Sequence, residues 1–232
     1  MIGIKTVFID IDNTLWHFAR NSDLALEETF GIFRCQQWCS RYDMFHESYE
    51  RHNQLLWQLY NQGQVEKERL MVRRFELALR ECGHCGDSAT LATKMNSTYL
   101  ERLVMHDELV PGAVELLQYL CSKGYQVNTL SNGFKGVQER KLAHGGMNRY
   151  ISHTILSEDC GVTKPRAGIY RYAEQVTGCR AESTVMIGDD PQTDIAGALA
   201  AGWRAIYLNL NGMPCPEAHH TVSCLGEIKE LL

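Results

Sequence analysis

Proline is scarce in this chain, five residues in 232, and no low-complexity tract or internal repeat occurs, which excludes a collagen-like rod and a disordered linker. No segment approaches the roughly 18 consecutive apolar residues that would cross a bilayer. Charge of one sign is also lacking: 23 Lys+Arg against 28 Asp+Glu leave a net of −5, with no run of five like charges. A surface for tracking a nucleic-acid backbone is therefore not expected. A basic-then-apolar leader is missing too, because a strand pattern begins at once, so the expectation is a cytoplasmic protein with neither membrane nor nucleic acid as partner. What is present is the makeup of a packed globule, 44% apolar and 22% charged, long enough for one large core or a core with a smaller attached unit. The nine cysteines are odd in number and scattered, so reduced thiols packing as small hydrophobes are expected instead of a disulfide framework.

Lys5–Ile11 is a short apolar, β-branched run of the kind that forms a strand buried on both faces. Gln126–Leu130, His153–Leu156, Thr184–Ile187 and Ala205–Leu208 share its character. Helical patterns lie between them at Ala113–Ser122, Gly136–His144, Ala167–Val176 and Thr193–Ala201, and this alternation predicts a parallel sheet in an α/β fold. From 16 to 105 the pattern changes to helical periods alone, at Leu24–Phe33, Tyr42–Tyr60, Lys67–Glu81 and Ala89–Leu103. Residues 1–15 and 106–232 are thus expected to form the core, and 16–105 an all-helical insertion of stacked hairpins.

Chemistry concentrates where predicted strands end, the ligand-binding edge of an open α/β sheet. The first strand ends in Asp10-Ile11-Asp12-Asn13-Thr14, whose two carboxylates stand two apart and can address one centre. The second runs into Ser131-Asn132-Gly133, a hydroxyl and backbone N–H groups suited to gripping phosphate oxygens. Lys164 stands just before Pro165, where its ammonium can reach an anion. The fourth strand gives Gly188-Asp189-Asp190, with Asp194 beyond, a set of hard oxygen ligands that suits Mg²⁺. Singly, each of these is a cap, a turn or a solvated side chain; their order at successive strand ends makes coincidence a poor explanation.

In these four motifs the chain resembles the haloacid dehalogenase-like (HAD) hydrolase superfamily: D-x-D-x-T at Asp10–Thr14, the hydroxyl at Ser131, Lys164-Pro165, and G-D-x4-D at Gly188–Asp194. The resemblance implies a Rossmann-like core with the helical insertion as a mobile cap. Within the superfamily the chain looks most like the pyrimidine 5′-nucleotidases, through Tyr60–Gln64, Arg74-Phe75, Ser131–Phe134, Ser157–Pro165 and Thr221–Ser223. That similarity implies a phosphomonoesterase acting on a small phosphorylated metabolite, a pyrimidine or noncanonical nucleoside monophosphate. Asp10 would be the nucleophile and Asp12 the general acid/base. Mg²⁺ would sit on Asp10, the Asp12 carbonyl and Asp189; Ser131, Asn132 and Lys164 would bind phosphate, with Asp194, Thr14 and Gly133 in support. The role of Asp190 is left open. An aspartate at position 12 favours phosphate esters over carbon–halogen bonds, which release no alkoxide to protonate.

Two alternatives use the same constellation: a phosphatase or mutase for a sugar phosphate or phosphoglycolate, and a phospho-aspartate sensing module of receiver type. Chain order speaks against the receiver, whose phosphoacceptor lies on a later strand. Cys82-Gly83-His84-Cys85 has redox-motif spacing, but no strand feeds it, so a helix-ending turn is expected there, with His46 and His52 the available further zinc ligands. His219-His220 reads as a solvated loop.

Overall fold

The apolar run near the start of the chain forms β1 (Thr6–Ile9), buried at every residue. Its continuous hydrophobicity follows from its place: β1 pairs with β2 (Gln126–Ser131) on one side and β4 (Thr184–Gly188) on the other, Val7 lying opposite both Val127 and Val185. With β3 (His153–Leu156), β5 (Arg204–Leu208) and β6 (His220–Val222) the sheet has six strands in the order β3-β2-β1-β4-β5-β6, each pair parallel. The chain builds outward from β1 in one direction, then returns and builds in the other. The order reverses beside β1, and the C-terminal ends of β1, β2 and β4 open there.

The computed structural model describes all 232 residues, in two compact units: Met1–Phe18 with Asp107–Leu232, and Ala19–His106. In the first, Phe8 stacks on Trp203 with ring centroids 4.7 Å apart, and Tyr170 meets the same indole edge-on at 5.2 Å. These rings anchor the core between the sheet and the helix Ala167–Thr177. The two chain segments at the border of this unit run side by side: Val110 N–H donates to the Leu15 carbonyl, His17 N–H to that of Glu108, and Trp16 bridges Leu109 antiparallel. Where a solvated loop is expected at His219-His220, His219 N–H donates to the Ala205 carbonyl and His220 opens β6. Only Val222 of that strand is buried, which is why its exposed start at His220 reads as loop.

The second unit is helical: α1 (starting at Phe18 and ending at Ile32), α2 (Tyr42–Asn61), α3 (Lys67–Glu81) and α4 (Ser88–Leu103). Ser48 and Arg51 of α2 bond Glu81 at the end of α3, while Asn53 bonds Arg74 further back, so the two helices are antiparallel. Tyr49, Phe75 and Tyr99 form its aromatic centre, and the buried Arg74 guanidinium lies 5.2–5.6 Å from all three rings. Asp87 caps α4 by accepting from Thr90 N–H. Cys82 does face another thiol, but that thiol is Cys39, with the sulfurs 2.9 Å apart; Cys85 is exposed and bonds the Gly83 carbonyl. Burial pushes the Cys82 thiol up to about 12. His46 faces Asp23 and His52 faces Glu81, so the four residues weighed as zinc ligands do not converge. No helix is long and apolar enough to cross a membrane.

Candidate active site

Beyond β1 the chain turns sharply. The Ile11 carbonyl accepts N–H bonds from Thr14, Leu15 and Trp16, and Asn13 takes a φ of 57°, a left-handed conformation that Asn tolerates better than most residues. Asp10 continues the strand by donating its N–H to the Ile187 carbonyl, so its carboxylate stands beside the end of β4. There Asp189 follows the strand, and Asp190 accepts from the Gln192 and Thr193 N–H groups at 2.8 Å each. Asp190, whose role the sequence leaves open, is thus the cap of the wide helical turn Pro191–Ala196. One turn on, Asp194 swings back over Gly188, where a Cβ would collide with its carboxylate. Carboxylate oxygens of Asp10, Asp189 and Asp194 lie within 4.8 Å of one another.

Lys164 enters this cluster from below. Its side chain is 2% exposed, and the ammonium donates to Asp10 Oδ1 (2.6 Å), Asp194 Oδ1 (2.5 Å) and the Leu130 carbonyl (2.9 Å), which uses all three protons. Asn132 fixes the lysine's backbone: its Oδ1 accepts from Lys164 N–H and its Nδ2 donates to the Lys164 carbonyl. The Asn132 side chain is therefore a brace for Lys164. Thr14 Oγ1 donates to Asp189 Oδ1 at 3.2 Å.

Burial raises the Asp10 carboxyl well above its usual range; the Lys164 charge opposes this, and the Asp194, Asp189 and Asp12 charges add to it. Burial and then the Asp194 charge push Asp189 up to about 7, and burial also raises Asp194 against the pull of Lys164. Burial alone would lower the Lys164 ammonium, but Asp10 and Asp194 more than offset it and the group ends above its usual value. Three carboxylates thus share one ammonium in a poorly hydrated space. A cation relieves that repulsion, and an all-oxygen donor set fits a hard divalent ion.

Asp12 does not join the cluster. Its Oδ1 accepts from Lys141 Nζ (2.5 Å) and its Oδ2 from Gln138 Nε2 (2.8 Å), both on α5 (Val137–His144). The same Gln138 amide donates to Ser131 Oγ at 2.8 Å, and Gly133 N–H donates there at 3.0 Å. With both acceptor positions of Ser131 taken, its hydroxyl proton is directed outward as a donor. A Cβ at Gly133 would collide with Gln138, which is the close approach that requires glycine. Gln138 and Lys141 are absent from the sequence-based set; the only signal was a polar pair three apart on the helix after Ser131.

A family model for haloacid dehalogenase-like hydrolases matches residues 4–202. The chain belongs to that family. This HAD hydrolase is 28% identical over 230 residues to the pyrimidine 5′-nucleotidase YjjG of Escherichia coli, covering 97% of this chain and 96% of the relative. It is 28% identical to the pyrimidine 5′-nucleotidase PynA of Streptococcus pneumoniae over 88% of this chain and 84% of that one. A ribulose-1,5-bisphosphate 5-phosphatase of Halopiger xanaduensis matches at 26% over 97% and 98% of the two chains. Among solved structures, the HAD-hydrolase YfnB of Bacillus subtilis superposes with a TM-score of 0.88 at 26% identity, over 99% of this chain and 98% of that one; it is bound to magnesium and reveals interdomain movement.

Proposed function

We propose that this HAD hydrolase is a Mg²⁺-dependent phosphomonoesterase that works through an aspartyl-phosphate on Asp10 and acts on nucleoside monophosphates of the cytoplasm, pyrimidine or noncanonical. The observation that carries the reading is the convergence of Asp10, Asp189, Asp194 and Lys164, with Ser131 and Asp12 facing the same strand ends. Asp10, the Asp12 carbonyl and Asp189 would hold Mg²⁺, which when bound draws negative charge from the carboxylates and the phosphoryl group. The Asp10 carboxylate attacks phosphorus, the ester P–O bond breaks, and the leaving oxygen takes a proton from Asp12. Asp12 then removes a proton from water, whose oxygen attacks the phosphorus and releases inorganic phosphate and the Asp10 carboxylate. Lys164 keeps Asp10 and Asp194 in place, and the Ser131 hydroxyl donates to a phosphate oxygen. Unit Ala19–His106 is the cap in this reading.

Likeness to YjjG and PynA over most of the chain supports the nucleotide; likeness to the ribulose-bisphosphate phosphatase supports a second reading, a sugar phosphate. The test is phosphate release from UMP, dUMP, ribose 5-phosphate and small sugar phosphates at one Mg²⁺ concentration. Stacking of a base would contribute about 1–3 kcal/mol, roughly a 5- to 150-fold preference in kcat/KM. Sugar phosphates turned over as well as every nucleotide would end the nucleotidase reading. Asp10→Asn should abolish turnover without loss of fold, and hydrolysis by that folded variant, free of deamidation, would remove the nucleophile assignment.

A further inference from the structure

Gln138 and Lys141 stand three residues apart on α5, on one helical face, and both are buried. Together they take both oxygens of a single carboxylate, Asp12, which is itself 28% exposed. Lys141 reaches it with a side chain only 2% exposed, its ammonium lying 4.4 Å from the Trp16 ring and 5.0 Å from that of Phe18. Those rings and the carboxylate leave the ammonium little room to move.

Gln138 is held at a cost to itself. Because a carboxylate only accepts, the amide must turn Nε2 toward Asp12 and Ser131, and its Oε1 is left buried with no partner. An unpaired buried acceptor is destabilising, and a buried ion pair is a weak source of stability. Packing alone therefore gives no reason for this arrangement. A carboxylate fixed at both oxygens has lost its freedom to rotate, which is what a group that hands a proton to one substrate atom requires.

We propose that Lys141 and Gln138 are positioning residues that clamp Asp12 in line with the leaving oxygen, Lys141 also meeting the negative charge that Asp12 acquires as it gives up its proton. The proposal rests on the reading of Asp12 as the acid/base. Gln138 has a second effect, since the same amide turns the Ser131 hydroxyl toward phosphate.

The experiment compares kcat/KM for p-nitrophenyl phosphate, whose leaving group departs without a proton, with phenyl phosphate, similar in shape but needing one. General acid catalysis contributes about 10²–10⁴-fold, so Lys141→Met should lower kcat/KM for phenyl phosphate about 10- to 100-fold. The loss for p-nitrophenyl phosphate should be no more than about 3-fold, with KM for both little changed and Lys141→Arg restoring part of the rate. Gln138→Leu should slow both substrates through Ser131 and phenyl phosphate further. Asp12→Asn should show the same leaving-group selectivity more strongly, and adding Lys141→Met to it should cost nothing more. That double variant removes both charges, so it serves if Lys141→Met alone fails to fold. Equal losses for the two substrates in Lys141→Met, or a full further loss in the double variant, would overturn the clamp while the Asp12 reading stands. If Asp12→Asn is itself unselective, the acid/base reading falls and the clamp with it.

Discussion

Asp194 reaches Lys164 only because residue 188 has no side chain. Gly188→Ala should thus displace the Asp194 carboxylate and leave Lys164 with one charged partner. We expect kcat to fall about 10²-fold or more with little change in circular dichroism, a misplacement of order 1 Å sufficing for such a loss. Steady-state rates on p-nitrophenyl phosphate check it. Lys164→Met removes the only cation from a buried three-carboxylate cluster and should cost about 3–5 kcal/mol of unfolding free energy, read from urea melts. Adding Asp194→Asn should recover part of that loss. At this scale the sequence was informative where one residue faces another strand end: Asp10, Ser131 and Asp189 could be picked out as polar residues closing apolar runs, and Lys164 as the lysine before a helix-opening proline. Gln138 and Lys141 could not, because a polar pair on a helix has the same pattern whether it faces water or a carboxylate. The Asn132 brace was equally hidden, since its partner Lys164 is 32 positions away and only the fold sets them together.

Elements were more legible than contacts. Five strands lie where apolar runs bounded by turns predict them, with ends shifted by no more than two residues, because burial on both faces writes itself as continuous hydrophobicity. The sixth, an edge strand with one buried residue, has only a weak signature of this kind. Trp203 is the keystone between strand and helix, stacked on Phe8 and donating its Nε1–H to Glu174. Trp203→Ala should destabilise the first unit by about 3–5 kcal/mol, measured by denaturant unfolding. In the helical unit, α2 and α3 are joined through Glu81, which accepts from Ser48, Arg51 and His52 and is held down at about 2, chiefly by the Ser48 and Arg51 hydrogen bonds. A carboxyl lowered on folding stabilises above its unfolded value of 4.5 and loses that contribution as pH falls toward 2. The stability difference between the parent and Glu81→Gln should therefore be present at neutral pH and shrink across that acid range. The pair Cys39 and Cys82 lay outside reach of the sequence, where the short spacing of Cys82 and Cys85 drew attention instead of a partner 43 positions away in the loop before α2.

For the whole molecule, the carboxylate cluster predicts a coupling between metal and stability that requires no substrate. If Mg²⁺ binds the folded chain alone, saturation at about 100 times its dissociation constant adds about 2.7 kcal/mol. At about 2–4 °C per kcal/mol for a chain of this size, Tm should rise by roughly 5–11 °C, while Asp189→Ala should show little rise. EDTA should return the parent to its metal-free Tm and stop turnover. A Tm indifferent to Mg²⁺ would count against the metal site independently of any assay.

The central place of β1 bears on how the protein comes into being. On a ribosome, Thr6–Ile9 emerges first, yet its neighbours Gln126–Ser131 and Thr184–Gly188 follow only after the whole helical unit has been made. Residues 19–106 form one uninterrupted stretch and can close as soon as they leave the exit tunnel. The strand that carries Asp10 must wait with both edges bare, an invitation to wrong pairing that its four-residue length keeps small. Assembly of the first unit is thus a late event in synthesis, set by the arrival of β4.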